Sequence, residues 1–257
     1  MDEIETRPTL DASDPAPGAH RTMASSVYGR LRRDILEGTL KPGERLPIDA
    51  LRARYGTGAS PVREALNRLA AEGVVALEDQ KGFRVPPISR ADLLELTRTR
   101  CWINEIAVRE SIARGDAAWE ERLVVAYHRL WRAPRTSPEG ANRVSPEWER
   151  LHREFHTAVI AACGSQWFIE SFQTLFDRAT RYRHLSIFPA PERDDMAEHR
   201  AIMEAALARN AAEAIRLLNA HISLTAEIVA GADDVLPDPT EATARKRAAA
   251  PRTEPAS

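Results

Sequence analysis

Apolar positions change their rhythm along this chain, and the change falls near residue 87. Before it, short stretches alternate between helical and strand spacing. Val27, Leu31, Ile35 and Leu36 form one helical stripe that stops at Gly38. The turn Leu40-Lys41-Pro42-Gly43-Glu44-Arg45-Leu46 leads to a second short helix, about 48–55, with Leu51 and Tyr55 inward. Gly56-Thr57-Gly58-Ala59 makes a tight turn. Ser60-Pro61 then opens a third helix, Val62 to Ala71, burying Val62, Leu66 and Leu69. Two β-type runs follow, Val74–Leu77 and Phe83–Val85, joined by Glu78-Asp79-Gln80-Lys81-Gly82.

Beyond Pro86-Pro87 every pattern is helical. The two prolines block both a strand and a helix, so they mark a linker. Ser89 fits an N-cap, with Asp92 three residues on, opening a long helix to about Arg114. Further helices are expected at roughly 116–132, 146–163, 165–187, 194–208 and 210–231. Ser145-Pro146 is an N-cap followed by Pro at the first helical position. Gly164-Ser165 ends one helix and caps the next. Six helices on short connections predict an antiparallel bundle. The expected fold is mainly α: an N-terminal winged helix-turn-helix with a small β-hairpin wing, then a C-terminal all-α antiparallel bundle. The expected divisions are 23–87 and 88–231, flanked by disordered tails at 1–22 and 232–257, which lack sustained apolar periodicity.

Charge sharpens this picture. The net charge is −2, but residues 21–90 carry thirteen Arg and Lys against eight Asp and Glu. A local basic excess suits phosphate neutralisation, although a solvated face can show the same balance. No apolar run approaches the roughly 20 residues of a membrane span. The start of the chain is too acidic and polar for a secretory signal. Two cysteines, Cys101 and Cys163, offer no disulfide framework. A cytoplasmic protein is expected.

The runs ILEGTLKPGERLP (35–47), SPVREALNRLAAEGVV (60–75) and KGFRV (81–85) resemble the winged helix of the GntR family of transcriptional regulators. The resemblance implies that the third helix enters the major groove of double-stranded operator DNA and that the wing lies along the minor groove or backbone. Arg63, Ser60, Arg68 and Arg52 on the helices, with Lys81 and Arg84 on the wing, are the candidate DNA contacts. Arg63 sits where a guanidinium reaches a guanine edge or a phosphate; a solvated surface Arg is the alternative. The chain departs from the family at Gly58-Ala59, where many members carry Ser-Arg, so one base-reading Arg is missing.

Four of the seven histidines sit on apolar stripes. His152 and His156 are i, i+4 neighbours and can hold one ion together. His199 and His221 lie on two later helices joined near Asn210. A single such His reads as a hydrogen-bonded core residue; four of them favour a shared divalent ion, zinc, nickel or iron. The runs HREFHTAVIAACGS and AEHRAIMEAALARNAAEAIRLLNAHI, with Arg100 on the opening helix, resemble the FadR subgroup of that family. Its metal-binding members use three His plus an Asp four residues before the first, which implies His156, His199 and His221 as ligands. At the Asp position this chain has His152.

Arg100 shares an inward stripe with Leu93, Leu96, Thr97, Ile103 and Ala107, and its planar fork suits a carboxylate. Asn104, one turn on, replaces an acid common in the family. Tyr182 and Arg178 are further candidates for the pocket of a small carboxylic acid effector, a dicarboxylate ahead of a monoacid. The reading is a homodimeric repressor, not an enzyme, with no membrane partner. Two rivals stand beside it. A metallohydrolase would need Glu directly after its first metal-binding His, and Arg153 stands there. The other rival leaves the helical half as a dimerisation module with structural histidines.

Overall fold

The computed structural model describes residues 22–137, 140–185, 193–231 and 236. The tails expected at 1–22 and 232–257 therefore lie outside the described residues, apart from Thr22 and Leu236. The same holds for residues 186–187, the expected end of the fourth bundle helix. Thr22 belongs to the fold: its hydroxyl accepts from the Ser25 amide and caps α1 (Met23–Leu36).

The N-terminal unit forms because three amphipathic helices share one apolar centre. α1, α2 (Ile48–Tyr55) and α3 (Ala59–Ala71) close over Val27, Leu31, Ile35, Leu51, Val62, Leu66 and Leu69. Gly56 ends α2 in the left-handed region (φ 63°), where a side chain would strain the turn. α3 starts earlier than the sequence predicts: Gly58 is its N-cap, so Ser60 and Pro61 stand inside the first turn, not before it. No side chain caps it. β1 (Ala76–Glu78) and β2 (Gly82–Arg84) pair antiparallel, Leu77 opposite Phe83, and form the wing. β1 begins later than the apolar run suggests, because Val75 turns into the core.

Six helices make the second unit: α4 (Arg90–Arg114), α5 (Ala117–Arg132), α6 (Pro146–Ile160), α7 (Gln166–Leu185), α8 (Asp195–Leu207) and α9 (Ala211–Ala230). Ser89, Ser145 and Ser165 cap their helices as the sequence places them, each accepting from a first-turn amide, and Asp116, Asp194 and Asn210 cap the remaining three in the same way. α4 packs on α7 and α9, α8 on α9, and α5 on α6. Trp119, Leu123, Leu130, Phe155, Phe176, Ile202 and Leu218 fill the common core. α6 stops at Ile160, so Cys163 lies beyond it, buried, beside the exposed Gly164 (φ 75°) at the turn into α7.

One element was not expected. β3 (Thr136–Ser137) and β4 (Gly140–Val144) form a small antiparallel hairpin between α5 and α6, so this unit is not purely α. Just before it, Arg135 pairs with Asp195 at 2.6 Å and lies over the Trp148 ring, 5.1 Å from its centre.

α7 also meets the N-terminal unit. Asp177 takes Arg32 of α1 on one side and Arg153 of α6 on the other. Arg181 donates to the Pro86 carbonyl of the linker. Beside these contacts lies a cleft of about 620 Å³ lined by Tyr28, Arg32, Glu72, Arg153 and Thr180. No helix among the described residues is long and apolar enough to cross a membrane.

Candidate metal centre and nucleic-acid interface

Periodicity brings the four histidines together. On α6, positions 152 and 156 share the face that also buries Trp148 and Val159. The α8–α9 hairpin, turned at Asn210, adds His199 and His221 from the opposite side. All four side chains are buried, and one donor nitrogen from each lies within 4.8 Å of the others. His156 Nε2 stands 3.0 Å from His152 Nε2 and 3.2 Å from His199 Nε2.

The outward nitrogens decide which lone pairs face in. His199 Nδ1 is 2.6 Å from the Asp195 carbonyl, and His221 Nδ1 is 2.7 Å from the Glu198 carboxylate. Both partners only accept, so both Nδ1 atoms donate and both Nε2 atoms are bare when the rings are neutral. Burial keeps them neutral. It pulls His152 down to about 3 and His156 and His199 well below the usual range, and lowers His221 as well. The bare Nε2 atoms of His199 and His221 thus face the same space as the His152 and His156 Nε2 atoms, and a cation there would take lone pairs from all four. Ligands about 2.0–2.1 Å from one ion stand roughly 2.9 Å apart at octahedral angles and roughly 3.3 Å apart at tetrahedral ones, so the cluster fits a divalent ion, and the octahedral case leaves positions for a further ligand.

A second ring of groups supports the first. Partial burial pushes the Glu198 carboxyl up, but hydrogen bonds from Arg193 and His221 outweigh it and hold it at about 2. Arg193 grips that carboxylate at 2.6 and 2.8 Å. Glu149 stands 3.9 Å behind His152 Nδ1, beyond hydrogen-bond reach, and accepts from Thr180 at 3.1 Å and from Arg183. Trp148 stacks on His152 with ring centres 4.6 Å apart. Sequence reasoning missed Glu149, Glu198 and Arg193. The signal was available: Glu149 precedes His152 by three residues on one helix face. Such backing groups fix ring orientation in metal sites.

Arg100 is buried, and among the described residues no hydrogen-bond or ion-pair partner meets it; its Nε is enclosed without one. Burial, then the neighbouring Arg183, pulls its guanidinium down to about 9. Asn104 is wholly buried, with both Oδ1 and Nδ2 unpartnered. Each such atom costs about 1–3 kcal/mol. Three guanidinium carbons surround the Phe176 ring, those of Arg183, Arg153 and Arg100, at 5.0, 5.6 and 5.7 Å. Glu149 and Asp177 answer Arg183 and Arg153. Arg100 is left over.

Two expected pocket residues belong elsewhere. The Tyr182 hydroxyl bonds Asp92 and the Ser89 backbone at the start of α4, within the cluster of Leu93, Leu96 and Val229. Arg178 lies against Gly73 of the N-terminal unit, where a Cβ would meet its guanidinium at 2.5 Å. The phase of α7 explains the correction. Phe176, Thr180 and Arg183 turn toward α6, while positions 178 and 182 turn toward the linker and α3.

On the other unit, Ser60, Arg63, Arg68, Arg52 and Lys81 are all exposed. Arg63 has no partner among the described residues. Arg52 pairs loosely with Asp49 at 3.0 Å on the surface. Arg68 stacks over the Tyr28 ring at 4.3 Å, and half-buried Arg84 pairs with Glu78 across the wing at 3.1 Å. These last two already serve the fold.

Residues 23–85 match the gntR family of bacterial regulatory proteins, and residues 95–224 match the FCD domain. The chain belongs to the GntR family. It is 38% identical to the HTH-type transcriptional regulator BphR of Paraburkholderia xenovorans over 85% of this chain and 90% of that one. It is 34% identical to the HTH-type transcriptional repressor GlaR of Escherichia coli, over 76% and 90%. Among solved structures, E. coli McbR/YncC superposes with a TM-score of 0.66 at 22% identity, over 81% of this chain and 97% of that one, a likeness of fold. A GntR domain followed by an FCD domain is the architecture of the FadR subgroup. The protein is thus a DNA-binding transcriptional regulator and not an enzyme. Arg153 stands directly after His152, where a metallohydrolase would need Glu, and is held by Asp177, and the adjacent Glu154 is bound to Arg150.

Proposed function

We propose that this GntR regulator is a cytoplasmic, dimeric repressor that leaves a palindromic operator when a small dicarboxylic acid enters a metal-holding pocket in its helical domain. One observation carries the reading: four inward histidine nitrogens converge beside a buried guanidinium that pairs with no anion among the described residues. His152, His156, His199 and His221 would hold the ion, and zinc, nickel or iron would supply a Lewis-acidic charge for a carboxylate. With four neutral rings that charge stays near +2, and Arg100 adds another unit. A diacid offers one carboxylate to each, while a monoacid leaves one buried charge exposed to its full desolvation cost.

Arg63 and Ser60 at the start of α3, with Arg52 and Lys81, are the residues we assign to DNA, Arg63 first because nothing else holds it. Arg68 and Arg84 contribute less, being engaged within the fold. Two recognition helices are presented by pairing of two chains. The outer stripe of α4 suits that pairing, since Leu94, Trp102 and Ile106 are exposed there. Occupancy reaches the DNA-binding half through α6: Arg153 lies between the two α6 histidines in sequence and holds Asp177, which also holds Arg32 of α1.

The test is calorimetric titration of the metal-loaded full chain with glutarate and with pentanoate, in wild type and Arg100→Ala. Glutarate is expected to bind roughly tenfold tighter or more, the worth of one extra charge-assisted contact. Arg100→Ala removes most of that preference. Equal affinities in wild type overturn the dicarboxylate. Less than about a tenth of an ion per chain after loading overturns the metal site and favours a purely dimerising helical half.

A further inference from the structure

Asn104 is a polar side chain placed where an apolar one would cost less. It has no exposed surface, and neither end of its carboxamide has a partner among the described residues. Native interiors leave few groups in that state, and each calls for a missing partner. Arg100 sits one turn earlier on the same inward face, about 6 Å back along the helix axis, and its Nε is also unmet. Two orphaned groups from one helix, both turned inward, point to one guest touching both.

The two groups need different chemistry. A guanidinium only donates, so a carboxylate satisfies it. A carboxamide donates through Nδ2 and accepts through Oδ1. A carboxylate facing Asn104 would satisfy the donor and crowd the acceptor with a second negative oxygen. A hydroxyl does both jobs with one atom, accepting from Nδ2–H while donating to Oδ1. A methylene there would do neither.

We infer that Asn104 is the specificity-determining residue of this pocket and that it reads a hydroxyl on the carbon chain of the acid held by Arg100. The inference rests on the effector reading above. It narrows the ligand from a dicarboxylate to a hydroxydicarboxylate. The acid's carboxylates answer Arg100 and the histidine-held ion, and its hydroxyl answers Asn104. The carboxamide then discriminates rather than anchors: it adds little affinity for the parent diacid, whose chain leaves both its atoms unmet.

The experiment compares succinate with malate, and glutarate with 3-hydroxyglutarate, by calorimetry on the zinc-loaded full chain. Wild type is expected to favour the hydroxylated member of at least one pair by about tenfold, the scale of a hydrogen-bonded group left unmet in the competitor. In Asn104→Leu that ratio falls to near one. Asn104→Ala serves as the second variant if the leucine disturbs folding, judged by near-ultraviolet circular dichroism. A preference that persists in both variants would place the hydroxyl on the ion and overturn the assignment. Equal binding of both members of each pair by wild type overturns the hydroxyl but leaves the dicarboxylate standing. Binding of none of the four acids overturns the pocket itself, and the inference with it.

Discussion

The core of the N-terminal domain is closed to strangers. Its buried residues are aliphatic or aromatic, and the one buried hydroxyl, that of Tyr55, already bonds Asp34 at 2.9 Å. The helical domain is built the other way. Arg100, Asn104, Ser111, Thr180, Arg181 and Asp195 are buried there together with the four histidines. Both domains have an apolar centre large enough to fold, so the polar groups are not a failure of hydrophobic supply. Arg181, Thr180, Asp195 and Ser111 meet partners within the fold, whereas Arg100 and Asn104 keep buried polar atoms that meet none among the described residues. The DNA-binding half is finished by its own sequence, whereas on the proposed function the helical half would be finished by an ion and an acid.

Removing the metal should separate the halves most clearly. All five tryptophans, Trp102, Trp119, Trp131, Trp148 and Trp167, lie in the helical domain, so their fluorescence reports that half alone. Chelation is expected to lower the fluorescence-detected melting temperature by about 5–10 °C, as loss of roughly 3 kcal/mol of binding linkage would. Native-state amide exchange within α3 should not change. His156→Ala should reproduce the shift and make chelator ineffective. An equal loss of protection in α3 would erase the contrast between the two halves.

The next effect belongs to the self-contained half. Arg63→Ala is expected to weaken operator binding by about 1–3 kcal/mol with no change in acid affinity. Lys81→Ala should act less, lowering the salt slope of binding by about one. Electrophoretic mobility shifts across a salt series measure both. An Arg63→Ala protein with wild-type operator affinity would remove α3 from the proposed interface.

The smallest expected effect tests the joint. Asp177→Asn should leave acid binding and operator binding each within about threefold of wild type. It should cut the acid's power to release DNA by about 1 kcal/mol of coupling. Fluorescence anisotropy of labelled operator, titrated with acid, reads that coupling. Unchanged release would show that the halves communicate by another route.

Much of this contrast was legible in the sequence, for reasons that differ by region. The glycine stops at Gly38 and Gly56 and the caps at Ser89, Ser145 and Ser165 are local chemistry, and local chemistry survives folding. The histidines could be paired because a 3.6-residue period fixes which of them share a face. The hairpin at 136–144 was hidden because Thr136-Ser137 and Gly140-Ala141-Asn142-Arg143-Val144 show no alternation of apolar and polar residues. α7 misled for a different reason. Packed against the DNA-binding domain on one side and the histidine core on the other, it shows no clean polar face, so the sequence points to Arg178 and Tyr182 for the pocket and misses Arg183. Only Arg183 meets Glu149. Glu149 and Glu198 looked like surface acids, because a carboxylate behind a histidine has the same spacing as one facing water.

Arg153 shares a single turn of α6 with His152 and His156, yet points to Asp177 while they point inward. On the proposed function, ligand choice and output would therefore be written on opposite sides of one short stretch of helix. Replacements at position 152, or at position 104 across the core on α4, would then retune what the pocket accepts without touching the Arg153 lever that reports it. A lineage of such regulators can change diet while keeping its wiring.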